Sequence, residues 1–163
     1  MQEEDRLNGK KVLIVDDEPD VLETLRLSLE TCEVETAATY EEGKKMLETQ
    51  DFDIVILDIM GVNGFGLLEV ANKRNVISVM LTAHALRIEN IVSSYKKGAA
   101  SFLPKEKMPE IRTFLNDILE AKEKGKDPWW RWMGRLASFW KYEFGHNWQE
   151  LGEKEFWDKL KKL

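Results

Sequence analysis

A doubly wound α/β fold built on five parallel strands is the class this sequence predicts, and three observations lead there. Val12-Leu13-Ile14-Val15, Ile54-Val55-Ile56-Leu57 and Val76-Ile77-Ser78-Val79-Met80-Leu81 are short apolar runs rich in β-branched residues. They lack the polar alternation of a half-exposed strand, as burial on both faces requires. Segments with apolar residues at helical spacing fill the gaps between them. Right-handed crossovers then wind such an alternation into a sheet covered by helices on both faces.

Each element has its own local signal. Glu33–Ala37 and Ala100–Leu103 are the two weaker strand segments. After Pro19, a suitable first-turn residue, Val21, Leu22, Leu25 and Leu29 mark the first helix. Thr39 and Glu42 form a capping box for the second, which carries Met46 and Leu47. The third helix follows Gly64 with Leu67, Leu68 and Ala71, and the fourth runs through Ile88, Ile91, Val92 and Tyr95 to a stop at Gly98. Ile111, Phe114, Leu115, Ile118 and Leu119 make a fifth helix after Pro109.

Composition bounds the function. The 163 residues carry a net charge of −6, which argues against nucleic acid as a partner. Residues 1–124 hold a balance of −8 and residues 125–163 a balance of +2. Cys32 is the only cysteine, which excludes an intrachain disulfide and a Cys-rich zinc site and suits a reducing, cytoplasmic setting. Met1–Lys10 has no apolar core of the kind a secretory signal needs, and Val76–Leu86 is too short and too polar to span a bilayer. A soluble protein is expected.

In a sheet of this class, ligands bind beyond the carboxyl ends of the strands, where the winding reverses. Asp16, Asp17 and Glu18 follow the first strand, and Asp58 follows the third. Thr82 ends the fourth, and Lys105 follows the fifth. Converging carboxylates repel one another unless a cation joins them, and hard oxygen donors without His or Cys suit Mg²⁺. An Asp beside that ion can attack a phosphoryl group, with a lysine offsetting the charge on the transferring oxygens and a hydroxyl donating to one of them.

The segments Val12-Leu13-Ile14-Val15-Asp16-Asp17-Glu18, Ile56-Leu57-Asp58, Met80-Leu81-Thr82-Ala83 and Gly98-Ala99-Ala100-Ser101-Phe102-Leu103-Pro104-Lys105 carry a resemblance. Over residues 10–124 the chain resembles the receiver domain of response regulators, the partners of histidine kinases in two-component signalling, in its chemotaxis-type single-receiver form. The resemblance implies a flavodoxin-like sheet in the order 2-1-3-4-5. It makes Asp58 the phosphoacceptor and gives Mg²⁺ to Asp16, Asp17, Asp58 and the Met60 backbone carbonyl. It has Thr82 and Lys105 sense and neutralise the phosphoryl group, and it puts Phe102 where the family has a switch aromatic. A histidine kinase or phosphotransfer protein is the implied donor, and a downstream protein the implied target.

Two departures stand out. The loop Asp58-Ile59-Met60-Gly61-Val62-Asn63-Gly64 is about two residues shorter than is usual in the family, so Gly61 and Gly64 are expected to let it turn tightly. Glu106 also follows Lys105 where the family usually has a proline in a cis bond. Outside the constellation, His84 reads as a loop or helix-start residue at the pocket mouth, and His146 has no partner cluster for metal binding.

All six tryptophans fall in the last 39 residues, beyond the polar junction Lys122–Pro128, which sets a boundary near Gly125. With Asp127 as cap and Pro128 in the first turn, Trp129, Trp132, Met133, Leu136, Phe139, Trp140 and Phe144 form one helical stripe ending at Gly145. Asn147 and Glu150 can cap a second helix with Trp148, Leu151, Phe156, Leu160 and Leu163 on its stripe. So many aromatics need cover, from the chain's own surface, a second copy in a homodimer, or another protein; a membrane interface is the weaker choice. A DNA-binding output has too small a basic footprint here.

The leading expectation is phosphorylation on Asp58 with output through altered protein contacts. The runner-up is a phosphorylation-independent binding module acting through the Trp-rich hairpin. A haloacid-dehalogenase-type phosphatase would want a second acid two residues after its nucleophile, where Met60 stands. Flavin binding would want a Gly/Ser/Thr-rich phosphate loop after the first strand, and none is present.

Overall fold

A computed structural model describes residues 5–83, 87–145 and 154–163. The expectations for His84, His146, Asn147, Trp148, Glu150 and Leu151 lie outside these. The chain runs β1 (Lys11–Val15), α1 (Pro19–Ser28), β2 (Glu33–Ala37), α2 (Tyr40–Thr49), β3 (Ile54–Asp58), α3 (Gly64–Lys73), β4 (Ile77–Thr82), α4 (Ile88–Lys96) and β5 (Ser101–Pro104). A 3₁₀ turn at Lys105–Glu110 leads into α5 (Ile111–Glu123), followed by α6 (Trp132–Phe144) and α7 (Lys154–Lys161). All strand pairs are parallel, in the order β2-β1-β3-β4-β5. The predicted architecture and strand order are both present.

The central strands form the core because their runs leave no polar side to face water. Every residue of β3 and β5 is buried, and β1 and β4 each have one half-buried residue, at the start. α1 packs beside α5, and α2 beside α3. Fully burying one Val, Leu, Ile or Phe contributes about 1.5–3 kcal/mol, so these strands supply the dominant stabilising term.

The caps show how the sequence sets the helix starts. Thr39 Oγ1 accepts from the Glu42 amide at 3.2 Å, while Glu42 Oε2 reaches back to the Ala38 amide at 3.3 Å, one residue before the expected partner. Gly98, at φ 93°, ends the segment after α4, with its amide bonded to the Tyr95 carbonyl. Pro109 falls inside the 3₁₀ turn, so α5 begins two residues later, at Ile111.

The first C-terminal helix differs from expectation. Asp127 Oδ1 does accept the Trp129 amide at 2.9 Å, but the bonds Trp130 N–H to Asp127 O and Trp132 N–H to Trp129 O close turns. α6 therefore begins at Trp132, four residues after Pro128, and Gly145 (φ 88°) ends it as read from the sequence. The turn aims the Trp129 and Trp132 indoles at the β5 segment. Trp129 Nε1 donates to the Ala99 carbonyl at 2.8 Å and Trp132 Nε1 to the Phe102 carbonyl at 2.7 Å.

Trp129, Trp132, Leu136 and Trp140 of the aromatic stripe are thus covered within the chain. Tyr95 of α4 meets the Trp129 and Phe156 rings edge-on, and Trp132 stacks on Trp157 of α7, a residue off the predicted stripe. Asp117 of α5 is buried and holds Arg135 at 2.9 and 3.0 Å and Arg131 at 3.3 Å. Glu120 takes Arg131 at 2.7 Å. Among the described residues, no helix is long and apolar enough to cross a membrane.

Candidate phosphoacceptor site

The site sits at the carboxyl ends of β1 and β3, the two neighbouring central strands. Register pairs Val15 with Leu57, which places Asp16 beside Asp58 at the point where both strands end. Asp16 Oδ1 accepts the Glu18 amide at 2.9 Å, and this local bond turns the chain into α1. Asp16 is fully buried and Asp58 is 4% exposed, whereas Asp17 and Glu18 lie open to solvent. One carboxylate oxygen from each of Asp16, Asp17 and Glu18 can lie within 4.8 Å of the others.

Lys105 enters from the far side of the sheet. Register aligns Thr82 with Pro104, so the lysine leaves β5 just past the end of β4. Its Nζ lies 2.9 Å from Asp16 Oδ2, 3.5 Å from Asp58 Oδ1 and 3.6 Å from Glu18 Oε1. Among the described residues, Asp16 Oδ2 takes no hydrogen bond beyond that ion pair. Burial pushes the Asp16 carboxyl above its ordinary value, with the Asp58 charge adding to it, against the pull of the Glu18 amide and Lys105. Burial alone would lower the Lys105 ammonium, but its bond to Asp16 and the charges of Asp16 and Asp58 outweigh that and raise it.

The loop after Asp58 uses its glycines for space. Gly61 donates its amide to Asp58 Oδ2 at 2.9 Å. A Cβ at position 61 would stand 2.4 Å from Asp17 Oδ1 and 2.5 Å from Asp58 Oδ2, so both carboxylates crowd the same side of this glycine. A Cβ at Gly64 would stand 2.4 Å from the Asp58 carbonyl oxygen. The left-handed residue of the loop is Asn63 (φ 51°), whose side chain accepts the Gly66 amide and caps α3. The expected tight turn therefore rests on Asn63, while Gly61 and Gly64 permit close approach.

The structure brings Asp16, Asp17, Asp58 and Lys105 together, and Thr82 is buried at the end of the strand beside Asp58. The Met60 side chain is 80% exposed in the loop. Phe102 stands apart from the acids, fully buried three residues before Lys105 with Trp140 6.5 Å away. The Glu18 contact with Lys105 and the Gly61 amide on Asp58 were not foreseen. The short loop and the third consecutive acid were the signals for them. Among the described residues no peptide bond is cis, the one before Glu106 included.

Oxygen donors from Asp16, Asp17, Glu18 and Asp58, with no His or Cys among them, fit a hard divalent cation such as Mg²⁺ or Ca²⁺. The fold and rim together define an acid-lined, doubly wound α/β domain with a lysine reaching into the acids. Residues 12–116 match the response regulator receiver domain family. The chain belongs to that family, which serves two-component signalling rather than classical enzyme catalysis.

Three relatives give the scale of the likeness. A probable transcriptional regulator, ycf27, of Cyanophora paradoxa is 31% identical over 119 residues, covering 67% of this chain and 49% of that protein. The chain thus spans about half the length of this relative. A CheY-like response regulator receiver domain protein from Methanospirillum hungatei superposes with a TM-score of 0.65 at 30% identity, covering 72% of this chain and 99% of the other. A response regulator from Burkholderia pseudomallei, solved with a phosphorylated aspartic acid, calcium ion and citrate, has a TM-score of 0.54 at 25% identity and covers 59% of each chain.

Proposed function

We propose that the chain is a phosphorylation-controlled signalling receiver whose phosphoacceptor is Asp58. The observation that carries this reading is the buried Asp58 carboxylate, with Lys105 3.5 Å from one oxygen and Asp17 beside the other at Gly61. An Asp58 oxygen attacks phosphorus, forming an acyl phosphate as the bond from phosphorus to the donor breaks. The donor leaves as the neutral imidazole of a phosphohistidine, or as acetate when acetyl phosphate is used. Lys105 meets the charge on the transferring oxygens, and Thr82 donates a hydrogen bond to one of them. Asp16, Asp17, Asp58 and the Met60 carbonyl would hold Mg²⁺, and the ion would supply further neutralisation of that charge.

Residues 10–124 form the receiver and residues 125–163 an extension. Partners are a cytoplasmic histidine kinase or phosphotransfer protein and a downstream protein, with Phe102 and Thr82 coupling the site to altered protein contacts. The phosphorylated aspartate of the Burkholderia relative supports the chemistry by likeness. The test is incubation with acetyl phosphate and Mg²⁺, followed by intact-mass analysis. One phosphoryl adduct is expected on the wild type and none on Asp58→Ala. An adduct that persists in Asp58→Ala would reject the assignment.

A further inference from the structure

Lys105 is the only basic side chain among the described residues that reaches the acids of the rim, and it sits where β5 passes into the 3₁₀ turn. That segment is gripped on both sides by the C-terminal aromatics. Three residues before Lys105, the Phe102 carbonyl accepts the Trp132 indole N–H at 2.7 Å, and the Phe102 ring packs 6.5 Å from the fully buried Trp140. Two residues after it, Lys107 Nζ lies 5.6 Å over the Phe139 ring. Phe139 and Trp140 are themselves in edge contact at 5.0 Å, so both grips belong to one cluster on α6.

α6 is in turn fixed to the rest of the molecule. The Arg131 and Arg135 guanidiniums lie on Asp117, and Trp129 is bonded to Ala99 and packed on Tyr95. A long, flexible amine serves an acyl phosphate only if its stem is held in place beforehand, because misplacement of about 1 Å can cost two orders of magnitude in rate. The strand holds the residues up to Pro104, and the aromatic cluster adds contacts at Phe102 before the lysine and at the Lys107 side chain after it.

We propose that α6 positions Lys105 in the phosphoacceptor site, with Trp132 and Trp140 as the positioning residues. The proposal rests on the reading of Asp58 as phosphoacceptor for its meaning, but its placement claim can be measured separately. In it, the C-terminal helix is part of the reaction's scaffold.

The test uses the full chain and Trp132→Phe, which keeps an aromatic ring and removes the donor to Phe102. Reductive methylation with formaldehyde and borohydride, mapped by peptide mass, reads how tightly the Lys105 amine is held, with exposed Lys45 as internal reference. Trp132→Phe is expected to raise the Lys105 rate several-fold relative to Lys45. It is also expected to slow acetyl phosphate labelling of Asp58 about tenfold, while Mg²⁺ affinity by calorimetry stays unchanged. In a Lys105→Ala background the same substitution should add no further loss of labelling. Unchanged Lys105 methylation, or a labelling loss that multiplies with that of Lys105→Ala, would overturn the proposal. A wild type that takes no phosphoryl group would sink the phosphoacceptor reading instead, and the methylation ratio would still decide the placement. If Trp132→Phe does not fold by circular dichroism, Trp140→Phe replaces it with the same outcomes.

Discussion

Asp16 and Asp117 are both buried aspartates, yet their surroundings differ. Asp117 receives two arginines, one of them through paired bonds of 2.9 and 3.0 Å. Asp16 shares a single lysine with Asp58 and Glu18, and burial raises its carboxyl. One acid is matched by positive charge from the chain itself and fastens a helix. Among the described residues the other belongs to a cluster with more carboxylates than cationic partners, an arrangement that suits a divalent cation. Depth of burial does not distinguish the two; the count of cationic partners does.

The contrast sets four expectations. Mg²⁺ at a hundredfold excess over its dissociation constant should raise unfolding free energy by about 2.7 kcal/mol in urea titrations, and chelation should reverse the gain. Asp117→Ala should cost about 2 kcal/mol in the same assay, below the usual range for a broken buried pair because both guanidiniums are more than a third exposed to water. Asp16→Asn should shift stability the other way or leave it within about 1 kcal/mol in metal-free buffer, while abolishing most of the Mg²⁺ gain.

The smallest effect concerns Glu120. The Lys124 hydrogen bond, with the charges of Arg131 and Lys124, holds its carboxyl below the ordinary 4.5, against a weaker opposing push from desolvation. A depressed acid stabilises the folded chain above its unfolded value and loses that contribution as pH falls through the folded one. Tryptophan fluorescence should therefore report looser α6 packing as pH falls below the ordinary carboxylate value, and Glu120→Gln should flatten that part of the profile.

These regions also differ in how plainly the sequence announces them. Val12–Val15 and Ile54–Leu57 are uninterrupted apolar runs, and the acids that follow them mark both the strand ends and the site. Local chemistry is enough there, because strand ends in a parallel sheet converge by topology. The Thr39 cap and the Gly145 stop are legible for the same reason. The Gly61 amide on Asp58 and the reach of Glu18 to Lys105 depend on the path of the short loop and on a side chain arriving from another strand. Periodicity predicted a helix from Pro128, but tertiary bonds from the Trp129 and Trp132 indoles hold that stretch as turns. Which surface would cover the tryptophans stayed open in the sequence, since the carbonyls of Ala99 and Phe102 become partners only once β5 is in place.

The indole bonds to Ala99 and Phe102 carry a consequence for solution behaviour. β5 lies at one margin of the sheet, where unsatisfied carbonyls would invite a strand from a neighbouring molecule. Trp129 and Trp132 lay their indoles against this segment through bonds to the Ala99 and Phe102 carbonyls, and at the opposite margin β2 presents the charges of Glu33 and Glu35. Both flanks are guarded against edge-to-edge polymerisation, one by bulky lids and the other by electrostatic repulsion.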